Sequence, residues 1–415
     1  MATIRPFQAF RPRPELAAQV ACLPYDVMST EEAREEAKDN PLSWLQVERA
    51  EIAFPASHDP YDKSVYEKAA ERFQALVDNG TFSQDPTPYL YVYRQIMGSH
   101  SQTGLVALSS AKDYWDDVIK KHEFTRPVKE QDRINHMKTT GIHSGPVFLT
   151  YPDLAEINEI VEQVKQAQPD TDITAPDGVQ HTIWIIKDQN TLQRIVQLFS
   201  EKVPFTYIAD GHHRAASSAK VAREMRENDP GSSGEENYNF FLSVLFPSSH
   251  MSIMDYNRVV KDLHGYSEED FLERLEEQFT VTPKGKSTYQ PEAGRHFGMY
   301  LNGNWYQLTA KEGSYDPNDP VNGLDVSILQ NNVLDKLLGI ADPRTDNRID
   351  FIGGIRGLKE LEKRVDSGDW KVAFALYPVT IEQLIRIADS GNVMPPKSTW
   401  FEPKLRSGLV VNKFK

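Results

Sequence analysis

The chain has 415 residues, of which 26% are charged and 39% apolar, and its formal net charge is −14. That composition belongs to a globular protein and excludes a disordered tail or a chain of membrane spans; the length allows one family-length unit over 1–415 or two lobes. The acidic balance excludes nonspecific duplex binding, which needs clustered Lys and Arg to displace counterions, but permits a small anion in a locally basic pocket.

The start, ATIRPFQAFRPRPEL after Met1, lacks the apolar stretch of a signal peptide, and no run of about 18 apolar residues follows. Cys22 is the only cysteine, so there is no internal disulfide framework and no multi-cysteine metal site. The expected compartment is the cytoplasm. Strands are predicted from Tyr89 to Gln95 and from Leu105 to Leu108, and Pro127 suits the first turn of a helix. Along that helix Lys129, Arg133 and His136 recur at spacings of four and three and form a basic stripe. The stripe reads either as a seat for polyphosphate or, with Glu130 and Asp132 interleaved, as an exposed helix laced with ion pairs.

Further strands are predicted from His181 to Lys187 and from Phe240 to Phe246, with the polar stretch Asn228 to Asn237 as a surface loop or a lid. Three phrases share one grammar, an apolar β-type run, a turn, then a helical segment: Phe205 to Ala209 before HHRAASSAKVAREMRE, Ile349 to Ile352 before IRGLKELEKRV, and Val372 to Pro378 before TIEQLIRIADSG. In the last, Thr380 is placed to cap the helix and Gly391 to end it. The expected fold class is α/β, with mixed sheet lobes and flanking helices, the lobes dividing into 1–245 and 246–415.

The most concentrated polar cluster is Asp210-Gly211-His212-His213-Arg214, where a predicted strand hands over to a helix. Free N–H groups and a partial positive charge there receive an anion, glycine permits close approach, and an arginine fork grips two oxygens. The plainer reading makes Asp210 a helix cap and the histidines surface groups. His122 and Glu123 precede the basic helix, Glu123 being either a general base or a solvated loop carboxylate. Gly285-Lys286-Ser287 is no Walker A loop, since Thr280 takes the place of its first glycine and Pro283 interrupts it. The glycines from Gly353 to Gly357 lack the dinucleotide spacing, and no Gly-x-Ser-x-Gly or His-Glu-x-x-His phrase occurs.

Five phrases in order are Ile4 to Ala9, Pro24 to Val27, His122 to Thr125, Tyr207 to Arg214 and Met394 to Lys404. Together they resemble a bacterial domain-of-unknown-function family, number 1015, across nearly the full chain. The family is similar to free serine kinases on a ParB/sulfiredoxin-like scaffold, which share the Asp-Gly-His-His-Arg segment. This resemblance implies transfer of a phosphoryl group from pyrophosphate to free L-serine, with Mg2+, giving phosphoserine for serine or cysteine metabolism. Leu23 departs from the family's doubled proline before Tyr25-Asp26. Carried over residue by residue, Glu123, Asp210 and His213 are implied as catalytic, with Glu123 or Asp210 as the base. Gly211, His212, Arg214, Arg126, Lys129 and Arg133 are implied as phosphate or substrate ligands. The alternatives are an ATP- or ADP-dependent serine kinase and a noncatalytic phosphate or phosphoserine sensor. The expected partners are small molecules, neither nucleic acid nor membrane; the metal ligands and the oligomeric state are left open.

Overall fold

The computed structural model describes residues 1–415. The chain forms two compact units: Met1–Lys121, Thr125–Met251 and Pro403–Lys415 in the first, His122–Phe124 and Ser252–Glu402 in the second. The segment from Pro403 onward, which chain order would group with the later lobe, therefore lies in the first unit.

The first unit is built on a nine-stranded sheet. Its strands are β1 (Ile4–Arg5), β2 (Leu90–Met97), β3 (His100–Ser110), β4 (Ile119–Lys120), β5 (Val147–Tyr151), β6 (Thr171–Thr174), β7 (Gln180–Ile186), β8 (Thr206–Asp210) and β9 (Phe240–Pro247). The order is β4-β8-β5-β9-β3-β2-β7-β6, with β1 paired to β3. Pairing is parallel between β8 and β4 and between β9 and β5, and antiparallel elsewhere. The unit is thus a mixed sheet. Every residue of β9 is buried, which is why its sequence FFLSVLFP runs nearly continuously apolar instead of alternating.

Five longer helices pack in this unit: α1 (Lys63–Asp78), α2 (Pro127–Thr140), α3 (Ala155–Val164), α4 (Gln189–Lys202) and α5 (His212–Glu227). Leu90, Val92, Leu105 and Ala107 of the sheet share one core with Ile157 and Val161 of α3, Leu192 to Phe199 of α4, and Ala215, Ala219 and Ala222 of α5. The small residues of α5 let its backbone lie close to its neighbours.

Alternate residues of β2 point to the other face, where the period of two brings buried polar groups together. Tyr91 donates to Asp85 at 2.6 Å, and Asp85 also takes Arg11 at 2.7 Å. Tyr93 meets His181 Nδ1 at 2.7 Å, and Gln102 Nε2 donates to Gln95 Oε1 at 2.8 Å. Gln95 in turn donates to the carbonyl of Lys404 at 2.8 Å, which ties the C-terminal segment to this face. Between β9 and α5 the polar stretch after Asn228 turns back on Glu236, whose carboxylate accepts from Ser233 N (2.7 Å), Gly234 N (3.0 Å) and Ser232 Oγ (2.7 Å).

The second unit carries a six-stranded sheet of β10 (Tyr256–Val260), β11 (Phe279–Gly285), β12 (His296–Leu301), β13 (Asn304–Ala310), β14 (Ile349–Gly353) and β15 (Val372–Ala375), in the order β11-β13-β12-β15-β10-β14. Every pair is antiparallel. The expected mixed sheet is corrected for this lobe. Among its helices are α6 (Glu268–Leu275), α7 (Leu358–Asp366) and α8 (Ile381–Asp389), besides a shorter one at Asp325–Leu329 that runs on into a π-helical turn, Gln330–Asp335. The phrase β14-α7-β15 is a crossover unit, but β10 enters between its two strands and pairs with both, so neither has a parallel neighbour. Thr380 caps α8 as expected: its side chain accepts from Gln383 N at 3.3 Å while Gln383 Oε1 accepts from Thr380 N at 2.9 Å. Gly391, at φ +70°, follows the helix.

Candidate active site

The polar phrase sits at the junction of β8 and α5, as its sequence predicts. Gly211 is the N-cap of α5 at φ +92°, a left-handed conformation that costs a side-chain-bearing residue. A Cβ there would also stand 3.0 Å from the Arg214 guanidinium. Glycine is therefore required twice, by backbone angle and by space. The helical ladder begins with Ala215 N–H donating to Gly211 O at 2.9 Å, so the first-turn N–H groups lie outside it and face the turn.

Arg214 is buried at 7% exposure. Its Nη1 donates to the Pro146 carbonyl, its Nη2 lies 3.4 Å from Asp210 Oδ2, and its Nε is buried without a partner. Burial opposes its charge, but Asp26, Asp210 and Tyr25 outweigh burial and raise its pKa. Asp210 is about a quarter exposed and also meets Lys404 Nζ at 3.5 Å. Burial pushes its carboxyl pKa upward; Lys404, Arg214 and His212 more than reverse this and hold it well below the usual carboxylate range. Such a carboxylate stays ionised and is a weak proton acceptor.

His212 is buried and His213 half-buried. Nε2 of His213 accepts the backbone N–H of Arg126 at 2.9 Å, which puts its proton on Nδ1 in the neutral form. Burial lowers its pKa, with Asp26 acting in the opposite sense. This bond ties the turn of α5 to the N-terminus of α2, where Arg126 is the cap and Pro127 the first helical residue. Glu130 clasps the two helices from below: it accepts from Thr125 Oγ1 and Lys220 Nζ, and its carbonyl accepts from Ser217 Oγ at 3.0 Å.

The basic stripe on α2 is not a free face, and its acidic neighbours are buried, not exposed. Arg133 pairs with Asp132 at 2.9 Å and lies 4.2 Å over the Tyr25 ring. Burial opposes the Arg133 charge, but Asp132 raises its pKa beyond the ordinary range. His136 is buried, with Nε2 against the Val47 carbonyl at 2.9 Å. Lys129 donates to the Tyr61 hydroxyl at 3.2 Å.

The first unit thus brings together Asp210, Gly211, His212, His213, Arg214 and Arg126, with Arg133 joined through Tyr25 and Asp26. Lys129 meets Tyr61, in the segment before α1, instead. Glu123 is half-buried and belongs with the second unit, where the neighbouring His122 carbonyl accepts from Met394 N at 2.8 Å. The sequence does not mark Lys404 as a site residue, and Leu23 in place of a proline makes the Asp26 turn less secure as one. Both lay within the ordered phrases, and that recurrence was the available signal.

A family model described as "Protein of unknown function (DUF1015)" matches residues 4–327. No curated protein matches the chain. Among solved structures, the chain is similar to a free serine kinase in complex with AMP, at 16% identity and TM-score 0.36 over 69% of this chain and 84% of that one. It is also similar to a conserved hypothetical protein from Pyrococcus furiosus, at 16% identity and TM-score 0.35 over 69% and 87% of the two chains. A third is SbnI with C-terminal truncation from Staphylococcus aureus, at 12% identity and TM-score 0.37 over 73% and 85%.

Proposed function

We propose, from the premise that the chain belongs to the DUF1015 family, that it transfers a phosphoryl group from pyrophosphate to the hydroxyl of free L-serine. The observation that carries this is the β8–α5 turn. A left-handed glycine opens a sixteen-residue helix, and a buried arginine with an unpartnered Nε stands beside a lysine and an aspartate whose pKa the neighbouring cations depress. Phosphoryl transfer asks chiefly for alignment and for spreading charge over three equatorial oxygens, which N–H groups and fixed cations perform. The Asp-Gly-His-His-Arg phrase, on which the resemblance to serine kinases of a ParB/sulfiredoxin-like scaffold rests, is in keeping with this reading.

No group of three or more His, Cys, Asp or Glu side chains is placed to hold a metal. Mg2+ fits the site in another form, since it is commonly held by one or two carboxylates with substrate phosphates supplying the rest. Asp210 would hold it, and the ion would neutralise donor oxygens. First-turn N–H groups of α5 and Arg214 bind phosphate, His213 keeps Arg126 beside the turn, and Asp210 holds cations in place. Its depressed pKa argues against Asp210 as the base; Glu123, the other carboxylate that the resemblance implies, is tested by substitution. No helix is long and apolar enough to cross a membrane, and one buried cysteine suits a reducing, cytoplasmic compartment.

The test is a donor panel: purified protein, Mg2+, L-serine and pyrophosphate, ATP or ADP, with products read by phosphorus NMR. Phosphoserine should form fastest from pyrophosphate. Turnover with ATP alone would overturn the donor, and no turnover with any donor would favour the sensor.

A further inference from the structure

We infer that Glu48, with Ser407 beside it, receives the ammonium group of the amino-acid acceptor and so selects a free amino acid over a serine within a peptide. The inference deepens the phosphoryl-transfer reading and rests on it for the reaction, though not for amino-acid binding.

The seat lies in the first unit, where three segments distant in sequence meet. Glu48 ends the short helix Leu45–Glu48 and is only 2% exposed, yet its Oε2 is buried with no hydrogen-bond partner. Ser407 is fully buried, and its Oγ is likewise without a partner. Gly145 joins the two. A Cβ built on it would stand 2.8 Å from Ser407 Oγ, 3.4 Å from Glu48 Oε1 and 3.8 Å from Glu48 Oε2. Both unpaired groups therefore border one spot that a side chain at position 145 would fill. Buried polar atoms are normally paired, and a buried carboxylate oxygen without a donor is costly to keep.

The surroundings do not supply that donor. Arg133 is committed to Asp132 and, at 3.4 Å, to the main-chain carbonyl of Glu48. Arg214 uses Nη1 on the Pro146 carbonyl and Nη2 on Asp210. The backbone is fixed as well. Trp44 Nε1 donates to Ser144 O at 2.9 Å and His136 Nε2 meets Val47 O at 2.9 Å, which pins the short helix against the loop and against α2. Cys22 and Ser407 exchange both backbone bonds, at 3.2 and 3.0 Å. A rigid seat with two unpaired oxygens, one of them anionic, fits a group that brings only donors. An ammonium does so, with three N–H bonds and a positive charge for the carboxylate. The next residue, Pro146, gives its carbonyl to Arg214 at the phosphate turn, and consecutive Cα atoms are about 3.8 Å apart. In free serine the ammonium and the hydroxyl are three bonds apart, so an ammonium at Gly145 leaves the hydroxyl within reach of that turn. A serine inside a peptide has an uncharged amide in the ammonium's place.

The experiment uses the full chain as Glu48→Gln, which keeps the shape, and as Ser407→Ala, with whichever donor supports phosphorylation. L-serine is compared with 3-hydroxypropanoate, which has the same hydroxyl and carboxylate but no amino group, measured as acceptor or as competitive inhibitor. Melting temperatures report folding. Glu48→Gln should lose about ten- to a hundredfold in kcat/KM for L-serine, the range of a hydrogen bond to a charged group, and far less in its response to 3-hydroxypropanoate. Ser407→Ala should lose a smaller factor with the same selectivity, and it decides the matter should Glu48→Gln fail to fold. A merely structural role cannot tell the two compounds apart, so an equal loss for both would overturn the inference. So would wild-type kcat/KM for L-serine in Glu48→Gln. If the wild type turned over with no donor, the kinase reading would fail by itself and calorimetry would decide Glu48. L-serine bound by wild type and at least about tenfold more weakly by Glu48→Gln supports the seat; equal or absent binding overturns it.

Discussion

Asp210 and Arg214 stand four residues apart at one turn, yet their environments give them different duties. The carboxylate keeps its charge because Lys404 and Arg214 outweigh the cost of burial. Asp210→Asn keeps the shape and removes that charge from beside both cations. Turnover should fall at least about a hundredfold, with pyrophosphate affinity changed far less, read as separate effects on kcat and KM. Arg214→Lys keeps the charge but cannot span Pro146 and Asp210 with a planar fork. Both donor binding and turnover should drop, and the melting temperature should fall as well, because the fork supports the cap of α5. Glu123→Gln tests the other carboxylate directly: as the base it loses turnover and keeps pyrophosphate binding. As a solvated loop group, Glu123 would give a glutamine variant indistinguishable from wild type in both assays.

At the scale of elements, the junction of β8 and α5 depends on one backbone angle. Gly211→Ala should cost about 1–2 kcal/mol for the left-handed conformation alone, and more if the Arg214 guanidinium cannot retreat. Urea denaturation checks this, and a variant as stable as wild type would contradict the angle. Thr380→Ala at the cap of α8, in the second unit, gives a comparison: about 1 kcal/mol of stability lost with pyrophosphate turnover unchanged. Both elements were legible because their signals are local, a glycine or a threonine at a boundary followed by helix formers. The stripe on α2 was legible in position but not in meaning. Spacing aligned Lys129, Arg133 and His136, whereas Tyr25, Val47 and Tyr61, distant in sequence, determine what each one meets.

For the whole molecule, buried histidines set the response to acid. His143 and His181 have their pKa lowered to about 3 from the ordinary imidazole value of 6.5, His143 by burial and His181 by burial and then Arg406. Folded pKa values below the unfolded ones mean that the unfolded chain binds protons first as pH falls. Stability is therefore full above the unfolded value and declines from about pH 6.5 toward 3, by at most about 1.4 kcal/mol per histidine per pH unit. Asp210, also depressed, adds loss in the same direction at lower pH. Urea midpoints at neutral and mildly acidic pH should show this fall, and an unchanged midpoint would count against buried neutral rings. The acidic surface makes a second expectation at this scale. Duplex DNA should show no saturable, salt-sensitive binding in fluorescence anisotropy, since −14 net charge repels the phosphates.

Local chemistry made the turn, the caps, most strands and the family phrases readable from sequence alone, because dihedral preference and burial period act over neighbouring residues. The ionic environment of Asp210 was not readable, since half of it comes from Lys404 at the far end of the chain. Nor was the insertion of β10 between β14 and β15, or the return of Pro403–Lys415 to the first unit. These depend on which distant segments bury each other's polar groups, and that choice is made by the free energy of the packed whole.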